Sequence, residues 1–310
     1  MPIRITQYPY YRRLLRRVSQ SWVIEAITGV LKRKAIRMGM AQRWCDGSTA
    51  RLFDDVEIET INKCNGRCTF CPVNAGVDSR VEAIMEDDLF SKLVGELGDI
   101  GYSGRIGLSS NNEPFLDKNI IERIAHARAS CPRARLYLYT NGTLLNLDKA
   151  LSALRAGLDI LVIDDYSDDL VMSKNTARIL QGLNRPEHAR EAWQVEVFVR
   201  KRTESLRNRA GRAPNKSCQT SQVFKLYASA GCVSPFKQLV IRPTGHVSLC
   251  CNDALGEVTL GDVGLDGLLG VWHGAAFTRV RRQLMTHGRR SLPLCAACDM
   301  PCYGLLDAVG

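Results

Sequence analysis

Residues 64–71 read Cys64-Asn65-Gly66-Arg67-Cys68-Thr69-Phe70-Cys71, three thiols in a CxxxCxxC spacing on one short stretch. Thiolates this close together can ligate three irons of a four-iron, four-sulfur cluster and leave the fourth iron open to chelate a small molecule. An alternating segment precedes them, Val56, Ile58 and Thr60, with the period of a half-buried strand, so the thiols fall on the loop at a strand's end. Zinc is the competing reading. A structural zinc takes four ligands, however, and no fourth Cys or His lies near residue 71. A disulfide framework has less support, since nothing marks the chain as secreted.

The 310 residues exceed a usual single domain, which favours one large α/β unit with an appendage. With 45% hydrophobic and 24% charged residues the composition is that of an ordinary soluble protein rather than a disordered or membrane chain. No apolar run approaches the roughly 20 residues of a membrane span. Arginines interrupt any secretory signal at the N-terminus. A cytoplasmic location is expected, where the twelve cysteines stay reduced. The net charge of +10 is concentrated at one end: in residues 1–43, Arg4, Arg12, Arg13, Arg16, Arg17, Lys32, Arg33, Lys34, Arg37 and Arg43 face a single acid, Glu25. Leu14, Leu15, Val18, Trp22, Ile27 and Leu31 recur between them at mostly helical intervals, so residues 1–50 read as a basic helical extension. Its charges suit a solvated face better than a membrane or nucleic-acid contact, and no nucleic-acid partner is expected.

From Val56 to about Lys201 short apolar strands alternate with helical stretches, the pattern of a parallel sheet. The strands are expected at Val56–Ile61, Arg105–Ser110, Arg135–Tyr139, Ile160–Asp164 and Val195–Arg200. Helices are expected at Glu86–Asp99, Asp117–Ser130, Asp148–Ala156 and Asp169–Gln181, several opening on an acid that favours the positive end of the helix dipole. Five strands are too few for a closed eight-stranded barrel. Residues 203–231 read as a linker. Beyond it Cys232 leads into a strand, Gln238 to Arg242, a turn at Pro243-Thr244-Gly245 and a second strand ending at Cys250. A helical stretch, Val271 to Met285, and the pair Cys295-Ala296-Ala297-Cys298 follow. Four thiolates so arranged make a complete ligand set for a cluster or for zinc.

The CxxxCxxC loop after a first strand resembles the radical SAM superfamily. That resemblance implies a partial parallel (β/α) barrel over residues 51–202 and S-adenosylmethionine (SAM) bound to the open iron of a cluster held by Cys64, Cys68 and Cys71. Reduction then yields a 5′-deoxyadenosyl radical that removes hydrogen atoms from unactivated carbons. Phe70 inside the loop is implied as a cofactor contact. Ser109-Ser110-Asn111-Asn112-Glu113-Pro114, at the end of the second strand, resembles the family's Gly-Gly-Glu-Pro segment, with asparagines in place of both glycines. Asn112, Glu113 and Pro114 are carried over as contacts to the methionine part of SAM. Thr140 and Asn141, in Thr140-Asn141-Gly142-Thr143, resemble the turn near the SAM ribose, although a tight turn alone explains Asn-Gly. Asp164, Asp165, Asp168 and Asp169 after the fourth strand offer carboxylates to a substrate or to helix caps, and Arg200-Lys201-Arg202 offers one arginine or lysine to the SAM carboxylate.

Residues 232–310 resemble the twitch domain, a shortened SPASM extension, which implies one auxiliary four-iron cluster on Cys232, Cys250, Cys295 and Cys298. Cys45, Cys131, Cys218, Cys251 and Cys302 are left over. Cys131 suits buried packing. Cys251, next to an implied ligand, either returns a hydrogen atom to a substrate radical or turns into the core as the next residue of a strand. Relatives with this architecture act on aminocyclitol or sugar carbons. Cys251 favours epimerisation, and dehydrogenation of a secondary alcohol to a ketone is the alternative. A peptide-modifying enzyme of the same architecture is third, and an iron–sulfur regulator is the reading from another class. A small-molecule substrate and an external one-electron reductant such as flavodoxin or ferredoxin are the implied partners.

Overall fold

The computed structural model describes residues 3–7, 22–45, 49–203, 208–215 and 231–300. Cys218 and Cys302 lie outside them. The described elements run β1 (Arg4–Gln7), helix Trp22–Arg43, a small ribbon of β2 (Trp44–Cys45) and β3 (Thr49–Ala50), then β4 (Asp55–Ile58). Next come helix Asp87–Asp99, β5 (Arg105–Gly107), helix Ile120–Ser130, β6 (Arg135–Thr140), helix Leu147–Arg155, β7 (Ile160–Tyr166), helix Lys174–Leu183 and β8 (Val195–Arg200). The last part holds β9 (Gln238–Ile241), β10 (His246–Ser248), β11 (Thr259–Asp262) and helices Val263–His273, Ala275–His287 and Pro293–Ala297.

One nine-stranded sheet runs through both halves, in the order β1-β8-β7-β6-β5-β4-β9-β10-β11. Every neighbouring pair from β1 to β9 is parallel, and β9–β10 and β10–β11 are antiparallel. The fold is therefore α/β with a mostly parallel sheet, as the strand–helix alternation implies. The five expected strands form its middle. Two elements extend it beyond expectation. Gln238–Ile241 lies parallel on β4, so the first strand of the appendage continues the main sheet. Arg4–Gln7 lies parallel on β8, so the basic extension is part strand as well as helix, a correction to the helical reading of residues 1–50. Residues 8–21 of that extension lie outside the described residues.

The helices pack by their apolar stripes. Helix Asp87–Asp99 buries Phe90, Leu93, Val94 and Leu97, the i, i+3, i+4, i+7 set. Helix Lys174–Leu183 starts five residues later than Asp169, because Asp169 is used locally: its carboxylate accepts from the Ser167 hydroxyl and from Val171 N–H, and Leu170 turns left-handed at φ 61°. Ser173 then caps the helix, accepting from Thr176 N–H. The expected helix Val271–Met285 is two helices broken at Gly274, where a side chain would stand 2.8 Å from the Gly270 carbonyl oxygen. Arg281, 1% exposed, joins them: its guanidinium lies 4.0 Å over the Trp272 ring and donates to the carbonyls of Pro235 and Trp272. Cys131 is 1% exposed in the core beside Val94, as its packing reading requires. Among the described residues no helix is long and apolar enough to cross a membrane.

Candidate active site

The carboxyl ends of the parallel strands open onto a cavity of about 450 Å³. Loops there can vary without disturbing the sheet, which is why chemistry collects at this end. Cys64, Cys68 and Cys71, on the loop after β4, line it. Several side chains hold the loop in shape. Asn74 donates to the carbonyls of Cys71 at 2.7 Å and Cys68 at 3.2 Å and accepts from Gly76 N–H, closing the turn that presents the thiols. From the turn after β6, Asn141 Nδ2 donates to Asn65 Oδ1 at 2.8 Å and approaches Cys64 Sγ at 3.7 Å. A Cβ at Gly66 would stand 3.3 Å from Cys64 Sγ, a tight contact, and the Gly66 N–H points at that sulfur. Burial pushes the Cys64 thiol up to about 11 and the Cys68 thiol up to about 12. Phe70 is buried at the cavity wall against the Tyr166 ring, centroids 5.6 Å apart.

The segment after β5 lies beside the thiols. Glu113 is fully buried, and its carboxylate accepts from Thr140 Oγ1 at 2.7 Å, Asn141 N–H at 2.8 Å and Phe115 N–H at 3.2 Å. Burial is the main cause of its raised pKa, with these donors working against it. Glu113 thus ties the two loops the resemblance singled out, and Thr140 and Asn141 meet there as the second of them. Pro114 opens the short turn Pro114–Leu116 behind it. Asn112 accepts from Ser110 N–H through Oδ1, and its buried Nδ2 has no hydrogen-bond partner while the residue lines the cavity. An orphaned amide donor on a residue of the cavity wall fits an anionic ligand group.

The far wall carries charge. Glu57 of β4 accepts from Ser110 Oγ at 2.5 Å and Gln238 Nε2 at 2.7 Å; burial, helped by nearby Asp55, pushes its carboxyl up to about 8. Asp55 accepts from the Tyr137 hydroxyl at 2.9 Å. Of the four aspartates at the end of β7 and just beyond it, only Asp164 lines the cavity, 3.1 Å from Arg200 of β8. Asp165 is buried and accepts from Ser173 N–H, while Asp168 and Asp169 are exposed. Lys201 and Arg202 are exposed too, so Arg200 is the one of the three that faces the cavity. Glu57, Asp55 and Arg209 were not singled out from sequence. For the two acids the signal was there, an acid at every second residue of the first strand, Asp55, Glu57 and Glu59. Arg209 sits in the linker with no pattern around it.

Cys232, Cys250, Cys295 and Cys298 line a second, small cavity. Burial raises the pKa of Cys250, Cys295 and Cys298, and the neighbouring thiols add to it for Cys250. Among the described residues no three Cys, His, Asp or Glu side chains converge as ligands of a single metal ion. Four thiols from three separate stretches of the chain meet around one small cavity. Cys251 does not continue the strand alternation, because β10 ends at Ser248. Its side chain lines the large cavity, not the core.

Residues 58–176 match the family model of the radical SAM superfamily and residues 232–299 that of an iron-sulfur cluster-binding SPASM domain, together more than half of the chain. The chain therefore carries a radical SAM domain and an iron-sulfur SPASM domain, and its cofactors are SAM and two four-iron clusters. Among curated relatives, the S-adenosyl-L-methionine-dependent 2-deoxy-scyllo-inosamine dehydrogenase of Niallia circulans is 25% identical over 249 residues, which is 80% of this chain and 94% of that one. Among solved structures, BtrN in complex with AdoMet and 2-DOIA superposes with a TM-score of 0.68 at 24% identity, over 81% of this chain and 94% of that one. SuiB of Streptococcus suis bound to precursor peptide SuiA gives 0.56 at 13% identity, over 86% and 75%. Both structural likenesses speak for the fold.

Proposed function

We propose that this radical SAM enzyme is a dehydrogenase that oxidises a secondary alcohol of an aminocyclitol-type substrate to a ketone. The observation that carries the reading is the likeness to the 2-deoxy-scyllo-inosamine dehydrogenase along nearly the whole of that relative. A base placed in the cavity beside a second four-thiol site adds to it. This choice departs from the epimerisation that Cys251 favoured, because the curated relative is an oxidising enzyme.

In this reading Cys64, Cys68 and Cys71 hold the SAM-binding cluster, and Cys232, Cys250, Cys295 and Cys298 hold the auxiliary one. Domain borders near residues 51, 203 and 232 go with that division. With a one-electron donor such as flavodoxin or ferredoxin reducing the SAM-binding cluster, SAM held there would supply the radical chemistry that takes the carbinol hydrogen. Asn112 Nδ2 and Glu113 orient the methionine end of SAM, the first by donating to its carboxylate and the second by accepting from its amino group. Glu57 accepts the hydroxyl proton, a role suited to a carboxyl whose pKa lies near the working pH. The electron left on the substrate goes to the auxiliary site, so that one hydrogen atom, one proton and one electron leave the carbinol.

The test is anaerobic turnover of 2-deoxy-scyllo-inosamine by the reconstituted protein. An amino ketone formed with one 5′-deoxyadenosine per turnover is expected. Recovery of the alcohol with deuterium from heavy water at an inverted carbon would replace the reading with epimerisation. One observation keeps that second reading in view: Cys251 reaches the cavity with a thiol that burial holds protonated.

A further inference from the structure

Residues 208–215 form a short turn from which Arg209 lines the large cavity. Its backbone is unusual. Arg209 and Ala210 have φ of 47° and 54°, and Gly211 follows at 85°. The left-handed region costs L residues free energy and persists where the surroundings hold it. Here the surroundings are the end of the auxiliary cysteine segment. Asn208 N–H donates to Asp299 at 3.0 Å, Asn208 Nδ2 to the Ala297 carbonyl at 2.6 Å, and Asp299 N–H returns to Asn208 Oδ1 at 3.1 Å. On the other side Arg212 pairs with Glu257.

This clamp drives the Arg209 side chain into the cavity. Its guanidinium is enclosed by protein, with Cys71, Cys251, Tyr166 and Glu57 as electrostatic neighbours, yet it keeps part of its surface open to the cavity. Among the described residues no carboxylate lies within ion-pair distance of it. One hydrogen bond is made, from Nη1 to Asn111 Oδ1 at 3.3 Å. Asn111 is itself fixed, donating through Nδ2 to the Cys251 carbonyl at 2.9 Å and through its N–H to Glu59 at 3.1 Å. A guanidinium has five N–H donors and no acceptor. A half-buried cation on the cavity wall, with most of its donors unfilled among the described residues and held by strained backbone between the two cysteine sets, is built for a ligand oxygen.

We propose that Arg209 binds a hydroxyl oxygen of the polyol substrate in the space between the two cysteine sets, and that the segment carrying Cys295 and Cys298 positions it through Asn208. The inference rests on the aminocyclitol reading of the cavity. SAM also carries an oxygen anion, its carboxylate, so the experiment separates the two sources.

Binding of 2-deoxy-scyllo-inosamine to the SAM-loaded holoenzyme is measured by calorimetry for the wild type, Arg209→Gln, Arg209→Lys and Asn208→Ala, with iron content and SAM affinity measured on each. Hydrogen bonds to a charged group are worth enough that Arg209→Gln should weaken substrate binding about 10- to 100-fold. Arg209→Lys, which keeps the charge but not the fork, should restore part of the loss. Asn208→Ala should weaken binding several-fold with iron retained. Equal substrate affinity in wild type and Arg209→Gln overturns the inference and leaves the proposed function standing. So does a loss confined to SAM affinity, which would assign Arg209 to the SAM carboxylate. A wild type that binds no aminocyclitol overturns both.

Discussion

The two cysteine sets use the same donor atom and are built in opposite ways. Cys64, Cys68 and Cys71 lie on one loop, two of them half-exposed on the wall of a large cavity, and the loop is shaped by side chains from its own end and from the turn after β6. Cys232, Cys250, Cys295 and Cys298 come from separate elements spread over residues 232–298, three of them buried, and close around a small cavity. Three donors on an open wall leave room for a ligand. Four donors around a closed one leave none. The difference matches a reactive centre against one suited to holding a cluster and passing an electron.

The most severe way to break the comparison is to remove one set at a time. Replacing Cys64, Cys68 and Cys71 with Ala should reduce about eight irons to about four and abolish 5′-deoxyadenosine formation, as iron analysis and product chromatography would read. Replacing Cys295 and Cys298 should remove a similar amount of iron yet leave SAM cleavage measurable while ketone formation stops. If both variants lost SAM cleavage equally, the division of labour would be wrong.

Next in size is Glu57, which stands between the sets. Its carboxyl is neutral below about pH 8, so kcat/KM should rise with pH through about 8 and level off above it. Glu57→Gln should lose that limb, with a fall of about 100-fold at pH 9. Stability moves the other way. The folded pKa lies above the unfolded value of 4.5, so the contribution is full below that value and is lost as pH rises through about 8. The Gln variant should unfold in denaturant with a shallower pH dependence over that window, and an unchanged activity profile would remove Glu57 from the base role.

How far these roles could be read from residues alone follows from how local each is. The CxxxCxxC loop and the five central strands are contiguous patterns, and the structure places the strands where the alternation put them. β1 was missed because four residues, Arg4–Gln7, carry no period of their own and gain strand form only by pairing with β8. Arg209 was missed because its neighbours Cys71, Cys251 and Glu57 are joined to it only by the fold. Cys251 was read on strand alternation, which stopped applying when β10 ended at Ser248.

A smaller effect is expected at the loop contact between the sets' two sides. Glu113 already accepts three hydrogen bonds, and a carboxylate has room for one more. Glu113→Gln keeps the shape and removes the charge, so SAM affinity should weaken about tenfold while iron content stays unchanged. Unaltered SAM affinity would reduce Glu113 to a brace between the Pro114 and Thr140 loops.

The smallest effect should come from Cys251, and it decides between the two reactions. The thiol lines the substrate cavity, and burial holds it protonated, so it is placed to give up a hydrogen atom. In a dehydrogenase no hydrogen atom returns to the substrate, and Cys251→Ala should change turnover by less than about twofold, since the alanine leaves only a small gap on the wall of an existing cavity. No solvent deuterium should enter the carbon skeleton in heavy water beyond exchange next to the ketone. In an epimerase the same variant would still cleave SAM and abstract hydrogen but would make no inverted product, and the wild type would place one deuterium at the inverted carbon, because S–H exchanges with solvent. Normal turnover of the alanine variant together with an unlabelled reacting carbon would retire Cys251 as a donor. Loss of product with continued SAM cleavage would instead make Cys251 the third working thiol site, and the auxiliary set would have to be reread as serving a redox-neutral reaction.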